Sequence, residues 1–316
     1  MYNLYRKLCG LLTLTVTVVA VLMSPLALAA STGLTTEHIE GGVYAIIGET
    51  GNRSEQNLGN NANFGFIVGD TGVLLIDSGA GTHAAKAIED KILETTPLPI
   101  TVVINTGGQD HRWLGNAYFA KKGARIIASN AAVADQNARA GDQIQGLINA
   151  TGQHPMNNLD IFTAPETFET TYQLSHAGVD ITIQHQGAAH TPGDSWVYIP
   201  ALKILFTGDI AYGDRMLGVI EVSDSQSWVD VFEAMAQLPA QKVIPGHGSV
   251  STLAKLSEQT YNYLVHLRQG VGEFLDNDGD LADIRKVDQS AFDYLLNYEG
   301  IAPGNALRVY DKMEWE

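Results

Sequence analysis

Apolar and polar positions alternate in short runs along the first third of the chain, and the runs stop at glycine. Gly42 to Ile47, Phe64 to Val68 and Val73 to Ile76 each carry the period and length of a strand. Gly69-Asp70-Thr71-Gly72 lies between the last two, which predicts an antiparallel hairpin. Asp77-Ser78-Gly79 closes the third strand, and His83 to Leu93 shifts to the three-to-four spacing of an amphipathic helix. A strand at Ile100 to Ile104 follows, then a helix from Arg112 to Lys122, a strand at Ala124 to Ala128 and a longer helical stretch from Asn130 to Ile148.

The second half repeats the scheme. Strands are expected at Thr170 to Leu174, Val179 to His185, Trp196 to Ile199 and Ile204 to Phe206. Trp228 to Gln237 reads as helix, Val243-Ile244 as a short strand and Leu253 to Phe274 as a long helix. Strand hairpins followed by strand–helix units, occurring twice, predict an α+β protein in which two sheets pack together under outer helices. Residues 280–316 read as an acidic helical tail, with Phe292, Tyr294, Tyr298, Tyr310 and Trp315 packing it back on the body.

Composition alters this picture at the N-terminus. Arg6 and Lys7 precede an apolar run of 13 residues, Leu11 to Met23, and Pro25 and Ala27-Leu28-Ala29 supply a small-x-small cleavage pattern. The run is short of the roughly 20 residues a spanning helix needs, so residues 1–29 are read as a signal peptide and 30–316 as the mature domain. Cys9 is the only cysteine, and its removal leaves no disulfide, no thiolate ligand and no cysteine nucleophile. Export without disulfides fits a periplasmic or secreted protein with a core large enough to need no staples. The net charge of −16 is spread along the chain, which argues against nucleic acid and anionic lipid as partners.

Candidate chemistry gathers where strands end in turns. "NTGGQDHRWLGN" offers Asp110 and His111, "GAAHTPGD" offers His190, "LFTGD" offers Asp209 and "VIPGHG" offers His247. Loops at strand ends converge on one edge of a sandwich while the strands fix their backbones. Asp77 and Asp194 read as carboxylates that brace these loops, and His38, His154, His176 and His266 show no partner pattern.

In this order the segments "FGFIVGDTGVLLIDSG", "NTGGQDHRWLGN", "AAHTPGDS", "LFTGD" and "VIPGHG" resemble the metallo-β-lactamase superfamily over residues 38–270. "NALRVYDKMEWE" is similar, more faintly, to periplasmic members associated with quinoprotein and sulfur-oxidation systems. The resemblance implies a four-layer αββα sandwich with zinc at one edge and hydrolysis of an ester, thioester, amide or lactam. It makes His111, His190, Asp209 and His247 the metal ligands, with Asp110 and His190 in catalytic roles.

The loop departs from that family, whose pattern is His-x-His-x-Asp-His. Aligned without a gap, those four ligands fall on Gly107, Gln109, His111 and Arg112; a shift of one residue restores Asp110-His111 as the final pair but displaces Gly115-Asn116. In the ungapped frame one metal position keeps only His190 and Asp209, and the other keeps Asp209 and His247 with His111 in place of aspartate. One zinc is therefore expected. Arg112 is expected to disfavour a second ion and to be available for a substrate carboxylate. The alternative is a non-catalytic relative that binds a small molecule or a protein partner.

Overall fold

In the computed structural model, residues 32–316 are described; the expected signal peptide lies outside them. Twelve strands and eight α-helices make up these residues, with short 3-10 turns between them. The strands are β1 (Thr35–Glu40), β2 (Val43–Ile47), β3 (Phe64–Val68), β4 (Val73–Ile76), β5 (Ile100–Ile104), β6 (Arg125–Ser129), β7 (Glu166–Phe168), β8 (Thr171–His176), β9 (Val179–Gln184), β10 (Trp196–Ile199), β11 (Ile204–Phe206) and β12 (Lys242–Ile244). The helices are α1 (Thr82–Leu93), α2 (Asp110–Trp113), α3 (Asn116–Ala120), α4 (Asn130–Thr151), α5 (Ser225–Ala236), α6 (Leu253–Leu256), α7 (Asn262–Asp276) and α8 (Tyr298–Met313).

β1 to β7 form one sheet in sequence order, antiparallel as far as β4 and parallel from β4 to β7. The second sheet runs β12-β11-β10-β9-β8, with only the β11–β12 pair parallel. The period of two decides which side chains meet. Val102 and Ile104 of β5 join Val197 and Ile199 of β10 in the core between the sheets, while Val103 faces outward against α1 and α3. Trp196 and Tyr198 likewise turn outward from β10 and pack with residues of α5, α7 and α8. The result is the expected αββα arrangement. Gly65 admits the ring of Phe206 between the sheets: a Cβ there would lie 2.3 Å from it.

The structure adds to and corrects the sequence reading. β1 was not anticipated, because an edge strand with four exposed positions in six carries no apolar rhythm. The single helix expected at Arg112 to Lys122 is two, α2 and α3, hinged at Gly115. A Cβ at Gly115 would sit 2.0 Å from the Ser78 carbonyl, so the chain must turn there to keep its contact with the end of β4. The helix expected from Leu253 is interrupted by a π-helical segment, Ser257–Tyr261. In the tail Phe292 and Tyr310 are buried, but Tyr294 and Trp315 are 59% and 85% exposed and pack nothing back. Among the described residues no helix is long and apolar enough to cross a membrane.

Candidate functional site

Four strand ends deliver the site. β4 stops at Ile76, and Asp77 takes the left-handed backbone conformation (φ 66°) that aspartate tolerates better than most residues. That strained turn aims its carboxylate at the loop after β5, where it accepts from the Thr106 backbone N–H at 2.7 Å and hydroxyl at 2.8 Å. Asp77 also accepts from Arg112 Nη1 at 2.9 Å. Behind the loop, Asn105 and Asn116 exchange amide hydrogen bonds at 2.9 and 2.8 Å, which locks α3 to the strand end.

Asp209 follows β11 and is the centre of the arrangement. His111 Nε2 lies 3.1 Å from its Oδ2 and His247 Nε2 lies 3.2 Å from its Oδ1. One donor atom from each of the three residues falls within 4.8 Å of the other two, and all three are buried. His190 stands outside that triad but on the wall of the same cavity. Burial raises the Asp209 carboxyl, yet the charges of Arg112 and His111 outweigh it and hold the group well below the usual carboxylate range.

Arg112 is fully buried and completes the centre from below. Its Nε and Nη2 grip Asp209 at 3.1 and 2.6 Å, Nη1 reaches Asp77 and the Asn63 carbonyl at 2.9 and 2.8 Å, and Nη2 also donates to the Gly246 carbonyl at 3.1 Å. Five N–H donors meet five acceptors of the protein, so the fork is saturated. The expectation that Arg112 can take a substrate carboxylate is thereby corrected. It is a fixed internal cation between two buried carboxylates.

Hydrogen bonds on the far side of each ring fix the histidines. His247 Nδ1 lies 2.7 Å from the Asn61 carbonyl and His190 Nδ1 lies 2.9 Å from that of Gly218. A carbonyl can only accept, so Nδ1 carries the proton in both. Burial pushes the two imidazoles down, to about 3 for His247 and about 4 for His190, so both are neutral at physiological pH with a lone pair on Nε2. His247 and Asp209 therefore face each other acceptor to acceptor, an arrangement that a cation between them relieves. His111 Nδ1 lies 3.1 Å from Asp110 Oδ1 and 3.0 Å from Arg53 Nη2. Arg53 can only donate, so Nδ1 has both a donor and a carboxylate beside it, while Nε2 faces Asp209. The donor set fits one divalent ion, as two imidazoles and a carboxylate with room for a further ligand.

The other half of the loop is rebuilt. A Cβ on Gly107 would lie 2.3 Å from Asp194 Oδ1, and one on Gly108 would lie 1.9 Å from Asp135 Oδ2. Both carboxylates occupy the space a side chain would need. Gln136 and Gln143 of α4 donate to the Gly107 and Gly108 carbonyls at 3.1 and 2.8 Å, and Trp113 donates to Gln143 at 2.9 Å. Asp194 braces Thr191 and this loop; it does not orient His190, whose partner is Gly218. Burial, with the nearby Asp209 charge adding to it, raises the Asp194 carboxyl to about 8.

Asp110 is held away from the cavity. Arg53 clasps it through two hydrogen bonds of 2.7 and 2.5 Å, and the backbone N–H of His111 adds a third at 2.7 Å. Burial pushes this carboxyl up, but Arg53 and His111 bring it down to about 2. The carboxylate backs His111 and does not line the cavity.

The cavity above the triad has a volume of about 420 Å³. Arg53, Tyr212 and Arg215 line it, none of them singled out by the sequence. Tyr212 stacks on His247 with ring centres 4.6 Å apart. Arg53 sits in a polar Asn- and Gly-rich loop, and only its pairing with Asp110, 57 residues away, brings it to the site.

Residues 58–247 match the family model of the metallo-beta-lactamase superfamily, more than half of the chain. The chain belongs to this superfamily. Solved structures agree on the fold. A metallo-beta-lactamase from Pontibacter korlensis superposes with a TM-score of 0.59 at 22% identity, covering 73% of this chain and 99% of that one. A stereoselective inverting sec-alkylsulfatase from Pseudomonas sp. superposes with a TM-score of 0.71 at 17% identity. The match covers 88% of this chain, which spans about half the length of the sulfatase, 50%. Metal binding is usual in this superfamily, and His111, Asp209 and His247 are this member's candidate ligand cluster.

Proposed function

We propose that this chain is an exported, single-metal hydrolase of small ester, thioester, amide or lactam substrates, with zinc as the ion. The observation that carries the reading is the acceptor-to-acceptor meeting of His247 Nε2 and Asp209 at 3.2 Å, with His111 Nε2 completing the set at 3.1 Å. Imidazole and carboxylate donors suit zinc. An ion held there supplies Lewis-acid polarisation of the scissile group and activation of water.

The remaining work falls to the chain's own residues. The Asn61 carbonyl fixes the Nδ1 proton of His247, and Asp110 stands behind the His111 ring at 3.1 Å from its Nδ1. Arg112 holds Asp209 as an anion in one rotamer. His190, neutral and open to the cavity at Nε2, is placed to take a proton from water and return it to a leaving group. Asp110 acts through His111 as a positioning residue. Export to the periplasm rests on the N-terminal sequence pattern alone.

A second reading, a non-catalytic binding protein, draws on the saturation of Asp209 by Arg112: a carboxylate already neutralised is a weaker ligand. The test is a panel of ester, thioester, amide and β-lactam substrates, given to wild type and to His247→Ala with and without added zinc. Zinc-dependent turnover by wild type, lost in the variant, supports the hydrolase. Equal rates, or no turnover by either protein, leave the binding protein.

A further inference from the structure

The wall of the cavity beside the triad carries a cation without a counter-ion among the described residues. Arg215 is 8% exposed, and among the described residues no carboxylate lies within ion-pair distance of it. Its Nη1 donates to the Gly51 carbonyl at 3.1 Å, and its Nε is buried with no hydrogen-bond partner in the protein. Desolvating a guanidinium edge without an acceptor is costly. An arginine kept in that state at a cavity wall has the character of a recognition group.

Two neighbours on the wall also carry orphan atoms, but these are amide oxygens, acceptors that pair with a donor on a ligand and not with its anionic group. Asn61 Oδ1 and Gln109 Oε1 are also buried without hydrogen-bond partners. Gln109 stands at a position where the family pattern has a metal-binding histidine. Arg53, the other cation of this wall, is neutralised by Asp110, so Arg215 supplies the uncompensated charge. It does so inside a protein whose net charge is −16. Ala150, Ile220 and Ile301 add an apolar stretch to a wall that also carries Asn52.

We propose that Arg215 forms an oxyanion-recognition subsite, so that the molecule bound beside the triad carries two adjacent anionic oxygens, as a carboxylate or a sulfate does, on an apolar body. The guanidinium offers such oxygens a fixed positive charge and the planar donor geometry that suits them. The short apolar stretch of wall takes the carbon skeleton. Calling that molecule the substrate rests on the hydrolase reading; its recognition does not, because Arg215 and the metal ligands are different residues.

The experiment is a calorimetric titration of the mature full-length protein, stripped of metal and then zinc-loaded, with hexanoate, hexyl sulfate and 1-hexanol. Wild type is expected to bind at least one of the two anions at least tenfold more tightly than the alcohol, in both metal states. Whichever anion binds tighter identifies the headgroup. Arg215→Gln is expected to lose that preference, and Arg215→Lys to keep only part of it, since a single ammonium cannot offer the planar donor geometry. Circular dichroism and the melting temperature establish that each variant is folded. If Arg215→Gln does not fold, the wild-type contrast between anion and alcohol still decides. No preference for an anion in wild type, or a preference that survives intact in folded Arg215→Gln, overturns the proposal. Anion preference without turnover on the substrate panel removes the hydrolase and leaves the subsite standing.

Discussion

The two halves of the metal-loop region have parted ways. On one side His111, Asp209 and His247 keep their donor atoms together, each ring backed by a fixed acceptor. On the other, the loop carries Gly107 and Gln109 and no metal-binding side chain, yet this side is not slack. Asp194 and Asp135 lie against the two glycines, and Gln136 and Gln143 hold the loop carbonyls. Two buried amide oxygens on this side, Gln109 Oε1 and Gln136 Oε1, have no hydrogen-bond partner among the described residues, so the loop is closely packed without being fully satisfied. Arg112 joins the halves: a permanent guanidinium sits between Asp77 and Asp209, supplying positive charge with no exchangeable ion.

The largest effect is expected from removing that charge. Arg112→Leu leaves two buried carboxylates without their partner and is expected to cost about 3–5 kcal/mol in urea unfolding. Arg112→Lys should recover only part of this, since one ammonium cannot serve both carboxylates and two carbonyls. A loss below about 1 kcal/mol for Arg112→Leu would mean that Asp77 and Asp209 are compensated elsewhere.

Asp110→Asn comes next. It removes the carboxylate charge beside His111 Nδ1, and zinc affinity measured by chelator competition is expected to drop by about 10–100-fold. Unchanged affinity would show that Asp110 does not act on the metal centre through His111.

On the rebuilt side, Gly107→Ala forces a methyl group against Asp194 and is expected to cost about 1–3 kcal/mol. Asp194→Ala in the same chain should relieve much of that strain, with a coupling of roughly 1 kcal/mol in a double-mutant cycle. Strict additivity would remove Asp194 as the reason for the glycine.

The smallest effect is a pH slope. Asp194 has its folded pKa raised from 3.8 to about 8, so the folded state holds a proton that the unfolded chain has released, and stability falls as pH rises through that window. His190 and His247 act in the opposite sense. Their folded values of about 4 and about 3 lie below 6.5, so their contribution rises with pH and is complete above 6.5. Between pH 6.5 and 8 the contribution of Asp194 to the decline should reach at most about 1.4 kcal/mol per unit, and Asp77, also raised by burial, acts in the same sense. Urea titrations of Asp194→Asn should show a shallower decline; the same decline in that variant would assign it to another group.

How much of this was legible follows from distance along the chain. The hairpin of β3 and β4 and the four chemistry-bearing turns could be read because an apolar run ending in glycine or aspartate is a local signal. His111, His190, Asp209 and His247 were therefore found as candidates, and the sandwich with them. The partners that give each residue its meaning were not. Arg53 reaches Asp110 across 57 residues, Arg112 reaches Asp209 across 97 and His247 reaches Asn61 across 186. Nothing near Arg112 in sequence announces that all five of its donors are spent inside the protein, and nothing near Arg215 announces that its Nε is not. The glycines at 107 and 108 read as missing ligands. Only the packing shows them as seats for Asp194 and Asp135.

A single ion at the candidate cluster of His111, Asp209 and His247, with Arg112 supplying further positive charge, is the proposal for this centre. It is tested most directly by elemental analysis of the purified mature protein after dialysis against zinc. The account gives one ion per chain in wild type, and loss of that ion in His247→Ala while the fold persists. Two firmly held ions per chain, or a content that His247→Ala leaves unchanged, would contradict it.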